Sequence, residues 1–482
     1  MKILLINPSQ KNVYGMKMMP AYAPLGLLYI GTVLKNEGHS VRLLDMDTEK
    51  ISNEKFSAIF NEFHPDAVGI SSVTPTLNDA LKWAKLSKGM DKDIPVVFGG
   101  IHATIAPDEL IKKDVVDVVV VGEGELTVKH LFDKFSKDGM DLSGIEGIYF
   151  KRQGRIIRNQ RRALINDLDL LPFPDRKLLK NPDAFMPPDA TNWPVATIMT
   201  TRGCPGDCTF CCTKQIFSNK LRPRSVKNIM EEIEYLKNDH GIKEIHIADD
   251  TFTSIKNRVM EFCREVKRKD LNMGFQFMNG LRADSVDREI LGALKGIGIK
   301  TVGYGVETGN DMILNKAKKG IPLAKTREAF KISKELGFET WAFLVLGLPG
   351  ETEGTIKETI GFTKELDPDF AKFFILKPYP GSEVRAYLDD SGLLLEHTYD
   401  DYGLYSKPIH RLPGLEPEKM LYWQKRAFRE FYIRPRKMME HLTRIFKIRN
   451  WTQIRLLVND VLFAFHCMFK GDQGVVDAER TG

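Results

Sequence analysis

The stretch Thr201-Arg-Gly-Cys204-Pro-Gly-Asp-Cys208-Thr-Phe-Cys211 decides how the chain is read. Three cysteines fall in a C-x3-C-x2-C spacing on a segment rich in glycine and proline. Gly203, Pro205 and Gly206 allow or fix unusual backbone angles, as a loop curling around a bound group requires. Three thiolates on one tight loop can ligate three irons of a cubane, which leaves the fourth iron without a protein ligand and open to another group. Structural zinc is the rival reading. It wants four ligands, commonly as two paired sets, and no second CxxC or HxxxH occurs in the sequence. Cys212 is adjacent to Cys211, points elsewhere and is a poor fourth ligand. Cys263 and Cys467 stand alone. A disulfide framework would spread its cysteines along the chain, so their concentration here indicates a metal in a reducing compartment.

The motif follows the first member of an alternating series. Strand patterns at 196–201, 243–248, 274–278, 301–306, 339–346 and 371–377 are separated by helical ones, for example at 227–238, 256–269 and 323–336. Six βα units predict a partial (β/α)6 TIM-like barrel with its site at the C-terminal ends of the strands. Ahead of it, apolar runs at 3–7, 41–45, 67–72, 95–100 and 116–122 alternate with helical spacing, which predicts a doubly wound, Rossmann-like parallel sheet. The α/β chain therefore divides into an N-terminal ligand domain (1–140), a Pro-rich linker with a hairpin pattern at 147–158 (141–194), the barrel (195–385) and a C-terminal, mostly helical segment (386–482).

The C-x3-C-x2-C loop after a first barrel strand resembles the signature of the radical S-adenosylmethionine (SAM) superfamily. The resemblance implies a [4Fe-4S] cluster on Cys204, Cys208 and Cys211 whose open iron chelates the amino and carboxylate groups of SAM. Reductive cleavage then yields a 5′-deoxyadenosyl radical, while the protein positions the reacting atoms and excludes water. Phe210 falls where the family places an aromatic near adenine. Asp249 and Asp250, ending the second strand, match the segment that meets the cofactor's amino group; a helix cap explains them as well. Glu307, ending the fourth strand in Gly303-Tyr-Gly-Val-Glu307, resembles the Glu that approaches the cofactor. Arg282 follows the third strand. Gly347, in Gly347-Leu-Pro-Gly350-Glu351, either admits adenine closely or forms a plain turn. No residue is assigned as catalytic acid or base.

The first domain resembles the cobalamin-binding domain of cobalamin-dependent radical SAM enzymes, such as the anaerobic magnesium-protoporphyrin ester cyclase and the hopanoid methylases. PLGLLYIGTVLKNEGHSVRLLD, GGIHAT and VVVGEGELT carry the likeness. It implies that Ser71, Ser72 and Thr74 face the lower side of the corrin, and that Gly99, Gly100, Gly122, Glu123 and Gly124 line its nucleotide tail, with His102 as a hydrogen-bonding neighbour. Taken singly, each is an ordinary βα turn. The cobalt-ligating DxHxxG is missing, since Asp45-Met-Asp47 lacks the His; cobalt is then bound without a protein histidine, or cobalamin has been lost. If cobalamin is kept, methyl transfer to an unactivated carbon is the natural reaction. An oxidative cyclase or rearrangement enzyme without methyl transfer is a second reading, and a non-enzymatic iron–sulfur binding module a third. A methylthiotransferase carries three cysteines in its N-terminal domain, whereas residues 1–200 here contain none.

Charge and hydropathy bound the partners. The chain has 482 residues and a net charge of +6, concentrated between Glu418 and Arg449, where ten Lys/Arg face three Asp/Glu. A nucleic-acid binder would be basic more widely. The basic stretch, with apolar residues such as Leu421, Ala427, Phe428 and Phe431 at helical spacing, reads as helices packed on the barrel or as a peripheral membrane contact or lid; 454–469 is too short and polar to span a bilayer. MKILLINPSQ reads as a buried strand, without the marks of a signal peptide. A cytoplasmic enzyme is expected, acting on a small-molecule, lipid or tetrapyrrole substrate with an electron donor such as flavodoxin or ferredoxin.

Overall fold

The structure is a computed structural model that describes residues 1–14, 22–137, 141–187 and 190–447. The sequence-predicted helix at 454–469 lies outside the described residues. Seven strands form the N-terminal sheet: β1 (Lys2–Asn7), β2 (Ser40–Asp45), β3 (Ala67–Ser71), β4 (Val96–Gly99), β5 (Val118–Val120), β6 (Ile148–Arg152) and β7 (Arg155–Arg158). Their order is β2-β1-β3-β4-β5-β6-β7, parallel through β5 and antiparallel thereafter. In β1, Ile3 to Ile6 are all buried, as expected of a parallel strand covered on both faces. Two apolar clusters lie against the sheet. Phe56, Trp83 and Phe98 belong to one, Leu28, Leu131 and Phe132 to the other. The chain reverses direction across the sheet between β1 and β3, the position where open α/β sheets bind ligands.

The hairpin pattern at 147–158 is β6–β7, which extends this sheet rather than belonging to a linker. Its pairing to β5 is a long-range event that local proline density does not reveal.

The barrel strands are β8 (Val195–Ile198), β11 (Glu244–Ile247), β12 (Gly274–Phe277), β13 (Thr301–Glu307), β14 (Glu339–Leu346) and β15 (Phe370–Ile375); a short antiparallel pair, β9 (Thr201–Arg202) and β10 (Arg222–Pro223), intervenes. They form two three-stranded parallel sheets, β8-β11-β12 and β13-β14-β15, joined by a bridge between Leu281 and Tyr304. Along β14, Thr340, Ala342, Leu344 and Leu346 are buried, whereas Trp341, Phe343 and Val345 keep some exposure. This period of two puts one set against the outer helices and the other toward the barrel interior.

An open barrel leaves an edge, and the C-terminal segment covers it. Along β15, Gln424 Nε2 donates to Phe373 O at 2.8 Å, and Tyr432 Oη both accepts from Ala371 N (3.0 Å) and donates to Ala371 O (2.9 Å). Helix Pro417–Tyr432, which carries both side chains, buries Met420, Trp423, Ala427, Phe428 and Phe431. The edge's backbone groups are thus satisfied by side chains instead of another strand. Basic residues from the next turn, Arg434, Arg436 and Lys437, converge on Asp367. Among the described residues no helix is long and apolar enough to cross a membrane.

Candidate active site

The cysteine loop hangs from the β9–β10 pair. Gly203 has φ +93°, and a Cβ there would lie 2.3 Å from Lys220 O, so only glycine fits the turn into the motif. Thr209 stitches the loop's middle to the barrel: its N–H donates to Ala317 O at 3.0 Å and its carbonyl accepts from Val384 N at 2.9 Å. Cys211 Sγ accepts from Thr213 N at 3.4 Å. A Cβ on Gly206 would lie 3.5 Å from Cys204 Sγ, 3.8 Å from Cys208 Sγ and 2.8 Å from an Arg282 guanidinium nitrogen. Two thiols and a cation therefore converge on a point that glycine keeps open. Among the described residues no three His, Cys, Asp or Glu side chains form a group that could hold a single metal ion.

Burial raises the thiols of Cys204 and Cys208, the latter to about 11. Such groups become thiolates only when a metal supplies the compensating charge. Cys212 differs. Its thiol donates to Pro380 O at 3.7 Å, and burial pushes it to about 12; it is spent on packing.

The neighbouring carboxylates divide into two kinds. Asp249 is buried and accepts from both Thr200 N and Thr200 Oγ1, which fixes the strand end that leads into the motif. Among the described residues Asp250 has no hydrogen-bond partner. Burial and the adjacent Asp249 raise it to about 6. Glu307 stands at a bulge in β13 with φ +63° and pairs at 2.6 Å with Lys319, a buried residue that burial would discharge but Glu307 keeps charged. The pair lies over Gly305, where a Cβ would come within 2.6 Å of Glu307 Oε1 and 2.9 Å of Lys319 Nζ. Lys319 sits in the run Lys-Ala-Lys-Lys, which reads locally as a solvated stretch, and no sequence signal singles it out. Arg282 is held by Asp284 through bonds of 3.0 and 2.8 Å. Phe210 is half-buried and packs on the barrel core. Gly347 (φ +86°) donates its N–H to buried Glu351, and His410 from the C-terminal segment bonds Gly347 O at 2.9 Å. No sequence signal singles out Glu351 or His410, because their partners are backbone atoms brought near only by folding.

At the edge of the N-terminal sheet, Gly100 has φ +92°, and a Cβ would meet Ser71 Oγ at 2.7 Å and Ser72 O at 2.9 Å, whereas Gly99 faces open space. His102 is fully buried, shares a hydrogen bond of 3.1 Å between Nδ1 and Thr74 Oγ1, and is lowered to about 4 by burial, hence neutral. Its Nε2 and the Oγ of Ser72 are buried without partners. Orphaned buried polar atoms are costly and fit a site completed by a ligand. Gly122 (φ +86°) donates to Thr104 Oγ1 at 3.0 Å, and Gly124 follows it into helix Glu125–Lys137. Glu123, read as part of the nucleotide-tail lining, is instead taken up by Arg202, Arg222 and the Ile165 N–H, each at 2.8 Å. Asp45 and Asp47 build their own turn, accepting from Asn7, Thr48, Ser9 and Gln10.

A three-cysteine loop on the rim of a six-stranded parallel barrel, facing a doubly wound ligand domain, defines a two-cofactor iron–sulfur enzyme. Residues 13–132 match the B12 binding domain and residues 198–363 the Radical SAM superfamily. The chain is 33% identical over 443 residues to an uncharacterized methyltransferase of Pyrococcus horikoshii, covering 92% of this chain and 95% of that protein. It is 27% identical to cytidylyl-2-hydroxyethylphosphonate methyltransferase of Streptomyces wedmorensis (86% of each chain) and 26% identical to the anaerobic magnesium-protoporphyrin IX monomethyl ester cyclase of Rubrivivax gelatinosus (90% and 78%). The fold is shared with the radical SAM methyltransferase TsrM of Kitasatospora setae, solved with cobalamin and a [4Fe-4S] cluster, at a TM-score of 0.69, 17% identity and coverage of 96% and 99%. The chain belongs to the cobalamin-dependent radical SAM methyltransferase family, and its cofactors are a [4Fe-4S] cluster, SAM and cobalamin.

Proposed function

We propose that this enzyme methylates an unactivated carbon of a small organic, lipid or tetrapyrrole substrate, using both cofactors in one cavity. The observation that carries the reading is the meeting of two ligand-binding edges: Glu123, in the turn after β5, touches Arg202, two residues before the first cluster cysteine. Cofactors held at the carboxyl ends of both sheets then face each other, as methyl transfer to a carbon activated by hydrogen abstraction requires.

When bound, the cluster supplies the electron that cleaves SAM, and cobalamin supplies the methyl group. The chain's own residues do the rest. Cys204, Cys208 and Cys211 hold three irons. Asp250 accepts the ammonium of SAM; a free carboxylate aimed at a cation is the stronger kind of hydrogen-bond partner. Asp249 acts through Thr200 to keep the motif in place. Arg282, anchored by Asp284, and Lys319, anchored by Glu307, set positive charge beside the thiolates. Ser72 Oγ and His102 Nε2 meet the cobalamin, and the glycine turns at 99–100 and 122–124 give it room. An electron donor such as flavodoxin or ferredoxin reduces the cluster.

The test is anaerobic reconstitution with iron, sulfide and hydroxocobalamin, then reduction with SAM and candidate substrates. Formation of both 5′-deoxyadenosine and S-adenosylhomocysteine, with a product heavier by one CH2, is expected. Deoxyadenosine with a product of unchanged carbon count would instead support cyclisation or rearrangement, the activity that the cyclase relative's name carries.

A further inference from the structure

We infer that a buried four-charge clamp couples the two cofactor sites, so that filling one tightens the other; Glu123, Arg202 and Arg222 act as its positioning residues. The inference rests on reading the Gly122–Gly124 turn as part of the cobalamin edge.

The clamp is built from three places in the chain. Arg202 and Arg222 face each other across the β9–β10 pair. Arg202 reaches Glu123 with one guanidinium nitrogen and Glu125 with the other. Arg222 binds the second oxygen of Glu123 at 2.8 Å and the carbonyl of Ile165 at 2.6 Å, and the Ile165 N–H closes the ring onto Glu123 at 2.8 Å. The Tyr29 and Phe217 rings flank the Arg202 guanidinium, each 5.6 Å from it. All four charged side chains are under 8% exposed.

Charges taken this far from water cost several kcal/mol each to desolvate, so such a network is a weak source of stability. This one is also incomplete, since Arg222 Nε and Glu125 Oε2 are buried without partners. Its placement is more informative. On one side Glu123 sits between Gly122 and Gly124. On the other, only Gly203 separates Arg202 from Cys204, and Gly203 leaves no room for a side chain beside Lys220 O. The turn and the first thiol are thus joined by a continuous set of bonded and packed groups, along which coupling between the two sites would run. Coupling in binding is reciprocal.

The experiment compares hydroxocobalamin affinity, by equilibrium dialysis with absorbance detection, in anaerobic cluster-loaded protein and in protein stripped of iron by chelation. For the native chain, loading the cluster is expected to tighten cobalamin about five-fold or more, within the usual range of coupling. In the double variant Glu123→Gln/Arg222→Gln, which removes one charge of each sign but keeps hydrogen-bonding groups, the ratio should fall to one while iron content and circular dichroism stay native. Arg202→Lys, which keeps the charge but loses the two-pronged contact, should reduce the ratio and serves if the double variant fails to fold. A native ratio of one, or an equal ratio in native and variant proteins, overturns the inference while leaving the proposed function standing. If neither form of the native protein binds cobalamin, the cobalamin reading itself falls, and the clamp's role with it.

Discussion

The rims of the barrel and of the N-terminal sheet differ in how they hold their ionisable groups. At the barrel rim burial raises ionisable groups that form no ion pair, the thiols of Cys204 and Cys208 and the carboxyl of Asp250, the last to about 6, beside the neutral and unpaired Thr209 Oγ1 and Thr251 Oγ1. At the sheet rim the ionisable Glu123 and Glu125 are taken by arginines, with Glu125 Oε2 left over, and the neutral Ser72 Oγ and His102 Nε2 also stay unpaired. The barrel rim keeps thiols and a carboxyl free of ion pairs, whereas the sheet rim neutralises its carboxylates with arginines. An ionisable residue near a site thus says little about function until its partners are known. Asp249 and Asp250 are sequence neighbours, and only the second is free.

The largest effect expected is at the barrel rim. Changing Cys204, Cys208 and Cys211 together to alanine should abolish the iron-dependent absorbance and lower SAM cleavage at least about a thousand-fold, consistent with loss of the group that carries the chemistry; retained cleavage would break the contrast outright. Next comes the sheet rim. Gly100→Val places a branched side chain at positive φ against Ser71 and Ser72, so it should cost about 1–3 kcal/mol in thermal or denaturant unfolding and lose cobalamin on gel filtration. Gly99→Ala, which meets nothing within 4 Å, should leave stability unchanged.

The adjacent aspartates sharpen the comparison. Asp250→Asn should raise the KM for SAM about ten-fold, a loss of about 1.4 kcal/mol, with little change in melting temperature. Asp249→Asn should instead cost about 1–3 kcal/mol of stability by disturbing the buried bonds to Thr200. The free carboxylate also carries a pH signature. Because the folded value, about 6, lies above the ordinary value of 3.8, cofactor-free protein loses stability as pH rises from about 4 to 6, and SAM binding through the ionised carboxylate should weaken as pH falls below 6.

Glu351 carries a pH signature of its own. Burial raises it to about 8, so it is protonated at neutral pH while its unfolded counterpart is ionised. Its contribution to stability is full below pH 4.5 and fades as pH rises to about 8. Glu351→Gln should match the native protein near pH 5 and become relatively more stable toward pH 8, by no more than about 1.4 kcal/mol per pH unit, measured by urea unfolding across that range.

Much of this was legible in the sequence. The strands lie where apolar periodicity puts them, because each parallel strand is buried on at least one face and its pattern is local. The cluster motif is legible for the same reason: its three cysteines and its glycines share one loop. Lys319, the partner of Glu307, is not legible, since its ion pair forms only when the segment after β13 folds back. Nor is the clamp, which joins residues 77 to 99 positions apart. The capping of the β15 edge by Gln424 and Tyr432 is hidden likewise, because helical periodicity predicts a helix without saying which edge it covers.

Electron paramagnetic resonance of the anaerobically reconstituted, reduced protein tests the cluster site most directly. A [4Fe-4S]+ signal whose g-values shift when SAM is added is expected, because one iron is open to chelation by the cofactor. A signal indifferent to SAM, or a preparation that holds zinc in place of iron, would contradict it.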